Sequence, residues 1–168
     1  MPTEPPSPEL EPPPIHSQAR LEDVCSIDAI INAVYEAVSF TDSAGPDEAR
    51  LRSLVCPDIR LQKVLADGRL LVGDIDSYLA SVRERIAEGG LGGFNERELF
   101  RRTEVYGGIA QVFTTYVATM TTAEGDRSVR GINSMQLRND GGRWWVLSIL
   151  WTDEEEGEPI PSAYLPRS

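Results

Sequence analysis

The chain has 168 residues and a formal net charge of −11, from 27 acidic and 16 basic residues. A chain of this length can form one domain with a substantial core and needs no disulfides. The basic residues are scattered along the sequence, which argues against nucleic acid as a partner. No apolar run approaches the roughly 20 residues that a membrane helix requires, so no membrane association is expected.

Cysteine usage argues against a disulfide framework and a zinc site. The two cysteines, Cys25 and Cys56, are too few and too far apart for a disulfide framework or a zinc site. The N-terminal residues do not have the pattern of a secretory signal. We therefore expect a cytoplasmic protein with free thiols and with neither a cofactor nor a metal.

Composition divides the chain into three parts. Residues 1–20 are rich in acids and proline, with seven of the twelve prolines in residues 1–14, and are predicted to be disordered. Residues 21–153 are predicted to form the folded domain. Residues 154–168 begin with the acidic sequence EEEGE and continue with IPSAYLP. This C-terminal tail is predicted to lie extended over its own domain or a neighbour; the alternative is a flap over a pocket mouth.

The first half of the chain has helical periodicity. Ser26 is a favourable N-cap, and the residues after it are apolar at three- and four-residue steps. Asp67-Gly68 is typical of a tight hairpin between two short strands. Helices are predicted over residues 26–40, 47–54 and 74–88, and the hairpin strands over residues 59–66 and 69–72.

The second half is rich in β-branched and aromatic residues separated by glycine-containing turns. Long strands are predicted over residues 99–106, 109–121, 128–138 and 143–152. Strands joined by such short turns run antiparallel. The sequence therefore predicts an α+β fold in which three N-terminal helices pack on a strongly curved, mainly antiparallel sheet.

The last predicted strand, in GGRWWVLSILW, is apolar on both faces. Strict alternation places Trp144, Val146 and Leu150 on one face and the odd-numbered residues on the other. Helices can cover only one face of the sheet, and an uncovered apolar face usually marks an interface. We therefore expect a homodimer through the outer sheet face. One β-bulge would exchange the faces assigned here.

The order of these elements and the sequence GINSMQLRNDGGRWWVLSILW resemble the nuclear-transport-factor-like, cone-shaped α+β fold. This superfamily includes SnoaL-like polyketide cyclases, ketosteroid isomerases and bacterial proteins of unknown function. The resemblance covers residues 26–153 and implies a pocket between the helices and the sheet, together with dimerisation through the outer sheet face. It is specific for fold and not for function, because the fold hosts isomerases, dehydratases and noncatalytic association domains.

The resemblance also implies candidate catalytic residues. Tyr35 stands where the ketosteroid isomerases place a hydrogen-bond donor to the developing oxyanion, and Asn133 stands where they place a second donor. The position of their general base, which is a carboxylate, falls on Lys63, or on Gln62 if the register slips, so steroid isomerase activity is not predicted. A histidine-based mechanism is not predicted either, because the only histidine is His16 in the N-terminal tail.

These observations favour a small-molecule-binding domain with an apolar pocket, for which catalysis is not established. Tyr35, Tyr116, Asn133 and Trp151 are its predicted ligand-binding residues, although each is also compatible with a purely structural role. One alternative is an isomerase, cyclase or dehydratase acting on a carbonyl or polycyclic substrate, with Lys63 as the base. A further alternative is a noncatalytic homodimeric association module with a filled core.

Overall fold

Four α-helices precede or interrupt a six-stranded sheet in residues 19–167, the part of the chain that the computed structural model describes. The predicted disorder of the N-terminal tail, including His16, falls almost wholly outside this range. The helices are α1 (Leu21–Val24), α2 (Ile27–Val38), α3 (Glu48–Leu54) and α4 (Ile75–Ala87). The strands are β1 (Val55–Val64), β2 (Leu70–Gly73), β3 (Gly93–Tyr106), β4 (Ile109–Thr122), β5 (Gly125–Asn139) and β6 (Trp144–Asp153).

The helices begin at residues that cap them. The Ser26 hydroxyl accepts a hydrogen bond from the backbone N–H of Ala29 at 3.0 Å, as predicted. At the start of α4, Asp74 and Ser77 form a reciprocal capping box. Helix α1 was not predicted, because a four-residue helix is too short to show a period. Within the described residues, no helix is long and apolar enough to cross a membrane.

The strands form one open, mainly antiparallel sheet in the order β2-β1-β6-β5-β4-β3. Among the strands of residues 19–167, β1 and β6 are the one pair that runs parallel. Register shifts interrupt the β1–β6, β3–β4 and β5–β6 pairings, and such bulges bend and twist a sheet. The predicted α+β arrangement of helices on a strongly curved sheet is therefore confirmed.

The core lies between the inner face of this sheet and the helices. Its largest fully buried apolar side chains come from both layers: Ile30, Ile31, Leu54, Ile59, Leu79, Val112, Met135, Leu137 and Val146. Burial of such side chains is the main stabilising contribution to the fold. The cavity described below lies between the same two layers.

A β-bulge in the last strand explains why that strand is apolar on both faces. Val146 pairs with Leu137, whereas Ser148 pairs with Gln136, so Leu147 is an extra residue in β6. A bulge of this kind shifts the side chains that follow it to the opposite face.

The prediction that Trp144, Val146 and Leu150 share one face is therefore wrong. Trp144 and Val146 point inward and are 9% and 0% exposed, whereas Leu150 lies beyond the bulge and is 40% exposed. Ile149 and Trp151 take the inward positions in the second half of the strand and pack against the core. Apolar side chains from both halves of β6 therefore pack on the same inner face of the sheet.

The C-terminal tail covers part of the outer sheet face. Its short 3-10 helix, Ser162–Tyr164, places the Tyr164 ring against Phe113, with ring centroids 5.1 Å apart. The Thr115 hydroxyl donates to the Tyr164 carbonyl at 2.6 Å, and Arg102 lies over the Tyr164 ring. This confirms that the tail lies over its own domain, and no described residue after Asp153 lines the central cavity. The homodimer through this face stays a prediction.

Candidate functional site

A cavity of about 370 Å³ lies between the inner sheet face and the helices. Its walls are mostly apolar and include Val34, Val38, Leu61, Ile75, Phe94, Ala118, Met120, Val129, Met135 and Ile149. Four of the predicted site residues also line it: Lys63, Tyr116, Asn133 and Trp151. The fifth, Tyr35, is buried beside the cavity and does not line it. The predicted pocket between helices and sheet is therefore present.

Cross-strand pairing explains why these predicted residues meet. Lys63 on β1 is the direct partner of Trp151 on β6, and Trp151 is the direct partner of Asn133 on β5. Direct partners project from the same face of a sheet, so the three side chains form one row across the cavity.

Two carboxylates in the cavity wall were not predicted. Glu96 lies on β3, before Leu99, where the sequence predicted that the strand begins. Asp153 ends β6, one residue beyond the predicted strand. The sequence FNE contains a signal for the first of them. Residues two apart on a strand lie on the same face, so Glu96 shares a face with the apolar Phe94, and both line the cavity.

Glu96 is a titratable group facing an apolar space. Its side chain is half-buried, and it lines the cavity. The Asn133 side-chain amide donates to Glu96 Oε1 at 3.2 Å. Burial raises the pKa of Glu96 to about 7, and the Asp153 carboxylate acts in the same direction, whereas the Asn133 hydrogen bond and the Lys63 charge oppose the rise. Glu96 is therefore able to take up or release a proton near neutral pH.

A hydrogen-bond chain runs from Asn133 away from the cavity. Asn133 Nδ2 donates to the Tyr35 hydroxyl at 3.2 Å, and the Tyr35 and Thr114 hydroxyls lie 3.0 Å apart. Thr114 in turn donates to Glu98 Oε2 at 2.6 Å, so it accepts from Tyr35. Burial is also the main factor that raises the pKa of Tyr35, which remains a neutral phenol. A ligand oxygen would have to displace one of these bonds to use Tyr35 or Asn133 as a donor.

Lys63 forms an ion pair in the cavity wall. Lys63 Nζ lies 2.6 Å from Asp153 Oδ2, with side-chain exposures of 29% and 26%. The Tyr116 hydroxyl donates to the other Asp153 oxygen at 2.6 Å. In this arrangement Lys63 is an ammonium group without a lone pair, which does not favour its predicted role as a base.

Gly131 makes the Tyr116–Asp153 contact possible. Tyr116 pairs directly with Gly131 on β5, and Gly131 pairs directly with Asp153 on β6. The Tyr116 phenol therefore crosses over Gly131, and a Cβ at this position would overlap both the Tyr116 hydroxyl and the Thr152 carbonyl oxygen. Only glycine leaves the space that this crossing requires.

We expect Gly131→Ala to destabilise the protein by about 2 kcal/mol, the usual scale of overpacking in a core. The free energy of unfolding in urea measures the effect. Gly157→Ala is the matched control, because a Cβ there meets no atom within 4 Å. Equal stability of the Gly131→Ala variant and the wild type would contradict this account of the crossing.

The polar side chains of the site are acid–base groups and hydrogen-bonding groups. Within residues 19–167, no group of three or more histidine, cysteine or carboxylate side chains is placed to hold a metal ion. The chemistry available to a ligand comes from one carboxyl that titrates near neutrality, one ion pair and several hydroxyl and amide groups.

Solved structures share this architecture over most of their length. A Kribbella flavida protein aligns with a TM-score of 0.62 at 11% identity, covering 78% of this chain and 90% of its own. A dehydratase candidate of the NTF2-like family from Streptomyces avermitilis aligns with a TM-score of 0.58 at 18% identity, covering 79% and 96% of the two chains. The chain has the nuclear-transport-factor-like fold.

Other proteins with the nuclear-transport-factor-like fold show the same level of similarity. A ketosteroid isomerase candidate from Shewanella frigidimarina aligns with a TM-score of 0.53 at 15% identity, covering 73% of this chain and 90% of its own. No family model and no curated protein matches the chain. The predicted resemblance is thus confirmed for the fold, and at these identities the likeness establishes the fold alone.

Proposed function

We propose that this nuclear-transport-factor-like domain binds a small, mostly apolar molecule with one hydrogen-bonding oxygen, and that Glu96 exchanges a proton with that molecule. The observation that supports this proposal is a carboxyl group with a pKa of about 7 in the wall of an apolar cavity of about 370 Å³. That volume is at the lower end of the range of about 300 to 1,000 Å³ for ligand pockets.

Glu96 supports an acid–base reaction better than Lys63 does. In its protonated form, a carboxyl donates to a carbonyl or hydroxyl oxygen, and in its ionised form it accepts a proton from carbon. Lys63 is engaged with Asp153 and lacks a free lone pair. This favours an isomerase or dehydratase acting on a carbonyl or hydroxyl compound. Neighbours with the same fold include a dehydratase candidate and a ketosteroid isomerase candidate, and both reaction types involve proton transfer.

The cavity argues against the association module as the principal function. A domain that serves only as an association module has no use for an unfilled space beside ionisable side chains, since such a space forfeits packing contacts. A homodimer through the outer sheet face remains compatible with the proposed function, because the cavity is on the inner face.

Binding in the cavity is tested with N-phenyl-1-naphthylamine, a neutral dye whose fluorescence rises in apolar surroundings. We expect saturable binding to the wild type and strongly reduced binding to Val129→Trp, because Val129 lines the cavity and an indole there would fill it. Ser128→Trp is the matched control, since Ser128 is the exposed neighbour on the same strand. Unaltered binding to the Val129→Trp variant would place the dye elsewhere and count against the proposal.

The role of Glu96 is tested by displacing that dye with 2-acetylnaphthalene or 2-ethylnaphthalene, which differ by one carbonyl oxygen. We expect the ketone to bind about tenfold more tightly at pH 5.5, where Glu96 is protonated and donates a hydrogen bond. The preference should vanish at pH 8.5 and should be absent at both pH values in Glu96→Leu. A preference that is independent of pH and survives in the variant would refute proton exchange by Glu96.

A further inference from the structure

The cavity mouth has its own polar groups, distinct from those at Glu96. The most exposed residues that line the cavity are Leu71 on β2 and Ser81 and Arg85 on α4. Ser81 and Arg85 are four residues apart, so their side chains lie on the same face of the helix, one turn from each other. The opening is therefore bordered by a hydroxyl and a guanidinium group.

The Arg85 guanidinium has no ion-pair partner among the described residues. Arg83 on the same helix points elsewhere and pairs with Glu48. The other cation in the cavity wall, Lys63, is taken up by Asp153. Arg85 is thus the lining cation that is left available to a ligand.

Tyr78 lines the cavity near both Arg85 and Glu96. Burial is the main factor that raises the pKa of Tyr78; the Glu96 charge also raises it and the Arg85 charge lowers it, so both groups are near the phenol. Tyr78 and Arg85 are seven residues apart on one helix face, which corresponds to about 10 Å along the axis. The part of α4 that lines the cavity from Tyr78 to Arg85 is therefore about as long as a small organic molecule.

The charges at the two ends are opposite in their effect on an anion. Glu96 is less exposed than Arg85, and its carboxylate repels a second negative charge, whereas the Asp153 charge is compensated by Lys63. Arg85 attracts such a charge at the mouth, where it also stays partly hydrated. An amphipathic anion would therefore enter with its apolar body first and its charge last.

We infer that Arg85 and Ser81 form a binding site for the carboxylate of an apolar monocarboxylic acid, whose opposite, uncharged end carries the hydrogen-bonding oxygen that reaches Glu96. This inference rests on the proposed function, because it assumes that the cavity takes a ligand. It adds the class of the ligand and its orientation. A guanidinium group suits the planar carboxylate because its donors match the two oxygens.

The test uses 2-naphthaleneacetate and its neutral analogue 2-naphthaleneacetamide, each displacing N-phenyl-1-naphthylamine at pH 7.5. We expect the acetate to bind the wild type about tenfold more tightly than the amide, as for a hydrogen bond between charged groups. In Arg85→Gln the acetate should lose this advantage, while the affinities of the amide and of the dye stay within about twofold. Arg83→Gln, with the same change of charge on the same helix, should retain the full preference.

The outcomes separate this inference from the proposed function. If the dye binds the wild type and the acetate shows no preference, or keeps it in the Arg85→Gln variant, the carboxylate site is refuted and the proposed function stands. If acetate, amide and dye all weaken equally in that variant, Arg85 shapes the mouth and does not recognise the anion, which also refutes the inference. If the dye does not bind the wild type, the proposed function fails and the inference fails with it.

Discussion

Replacement of Glu96 by glutamine is expected to stabilise the protein by about 3 kcal/mol at pH 8.5 and by less than about 1 kcal/mol at pH 5. In the native state the pKa of Glu96 is about 7, raised from 4.5 by burial. The native state therefore binds the Glu96 proton more tightly than the unfolded state does. The contribution of the Glu96 carboxyl to the free energy of unfolding is therefore full below pH 4.5. It is lost as the pH rises to about 7, at about 1.4 kcal/mol per pH unit. Glutamine does not titrate, and its side-chain oxygen can still accept from Asn133.

The measurement is the free energy of unfolding in urea at pH 5, 7 and 8.5 for the wild type and Glu96→Gln. Glu104→Gln is the matched control, because Glu104 is an exposed carboxylate on the same strand and its replacement changes the net charge equally. We expect the control to follow the wild type within about 0.5 kcal/mol at every pH. If the Glu96→Gln curve also runs parallel to the wild type, the Glu96 carboxyl titrates normally, and the proposed proton exchange has no physical basis.

The helices were predictable because their signals are local. The apolar period of α2, the Ser26 cap and the Asp74 start of α4 all lie within a few residues of the element that they define. The hairpin at Asp67-Gly68 was predictable for the same reason, since Gly68 adopts a φ of +80° that glycine accommodates without strain. Elements with such local signals can be predicted without knowing which other elements they pack against.

The site was only partly predictable, because it depends on pairings between distant residues. The start of β3 was missed, since the glycines before Phe94 resemble a loop and the charged residues after it resemble a solvated face. The Glu96 carboxyl becomes a partly buried group in the cavity wall only when β3 folds against the helices. Resemblance to the fold placed Asn133 and Lys63 at the cavity, whereas Asp153, the partner of Lys63, had no sequence signal beyond its strand position.

The inner face of β6 was not predictable from alternation. The extra residue Leu147 exchanges the inward and outward positions of the residues that follow it. Some bulges can be recognised in a sequence by a glycine or asparagine with a positive φ, but no residue of β6 has a positive φ. Without the bulge, Trp151 and Asp153 would point away from the cavity, and the row that joins Lys63, Trp151 and Asn133 would not exist. A single inserted residue thus decides which side chains a ligand meets.

Loss of the Lys63–Asp153 ion pair is the second change with a large expected effect. Lys63→Met is expected to destabilise the protein by about 2 to 3 kcal/mol. The change leaves Asp153 in the cavity wall with only Tyr116 as a partner, and a half-buried carboxylate without its countercharge is costly. Arg69→Met is the matched control in the β1–β2 hairpin. It breaks an exposed pair with Asp67 and should cost less than about 1 kcal/mol.

The double variant Lys63→Met/Asp153→Asn separates the charge from the packing. Asparagine keeps an acceptor for the Tyr116 hydroxyl but carries no charge, so we expect the double variant to recover most of the lost stability. The same change bears on Glu96, because the Lys63 charge lowers the Glu96 pKa and the Asp153 charge raises it. In the single Lys63→Met variant, the pH at which the ketone preference disappears should therefore move upward, and in the double variant it should return close to the wild-type value. A double variant no more stable than the single one, with no movement of that pH in either, would mean that Lys63 and Asp153 act on the fold and the cavity independently of their charges.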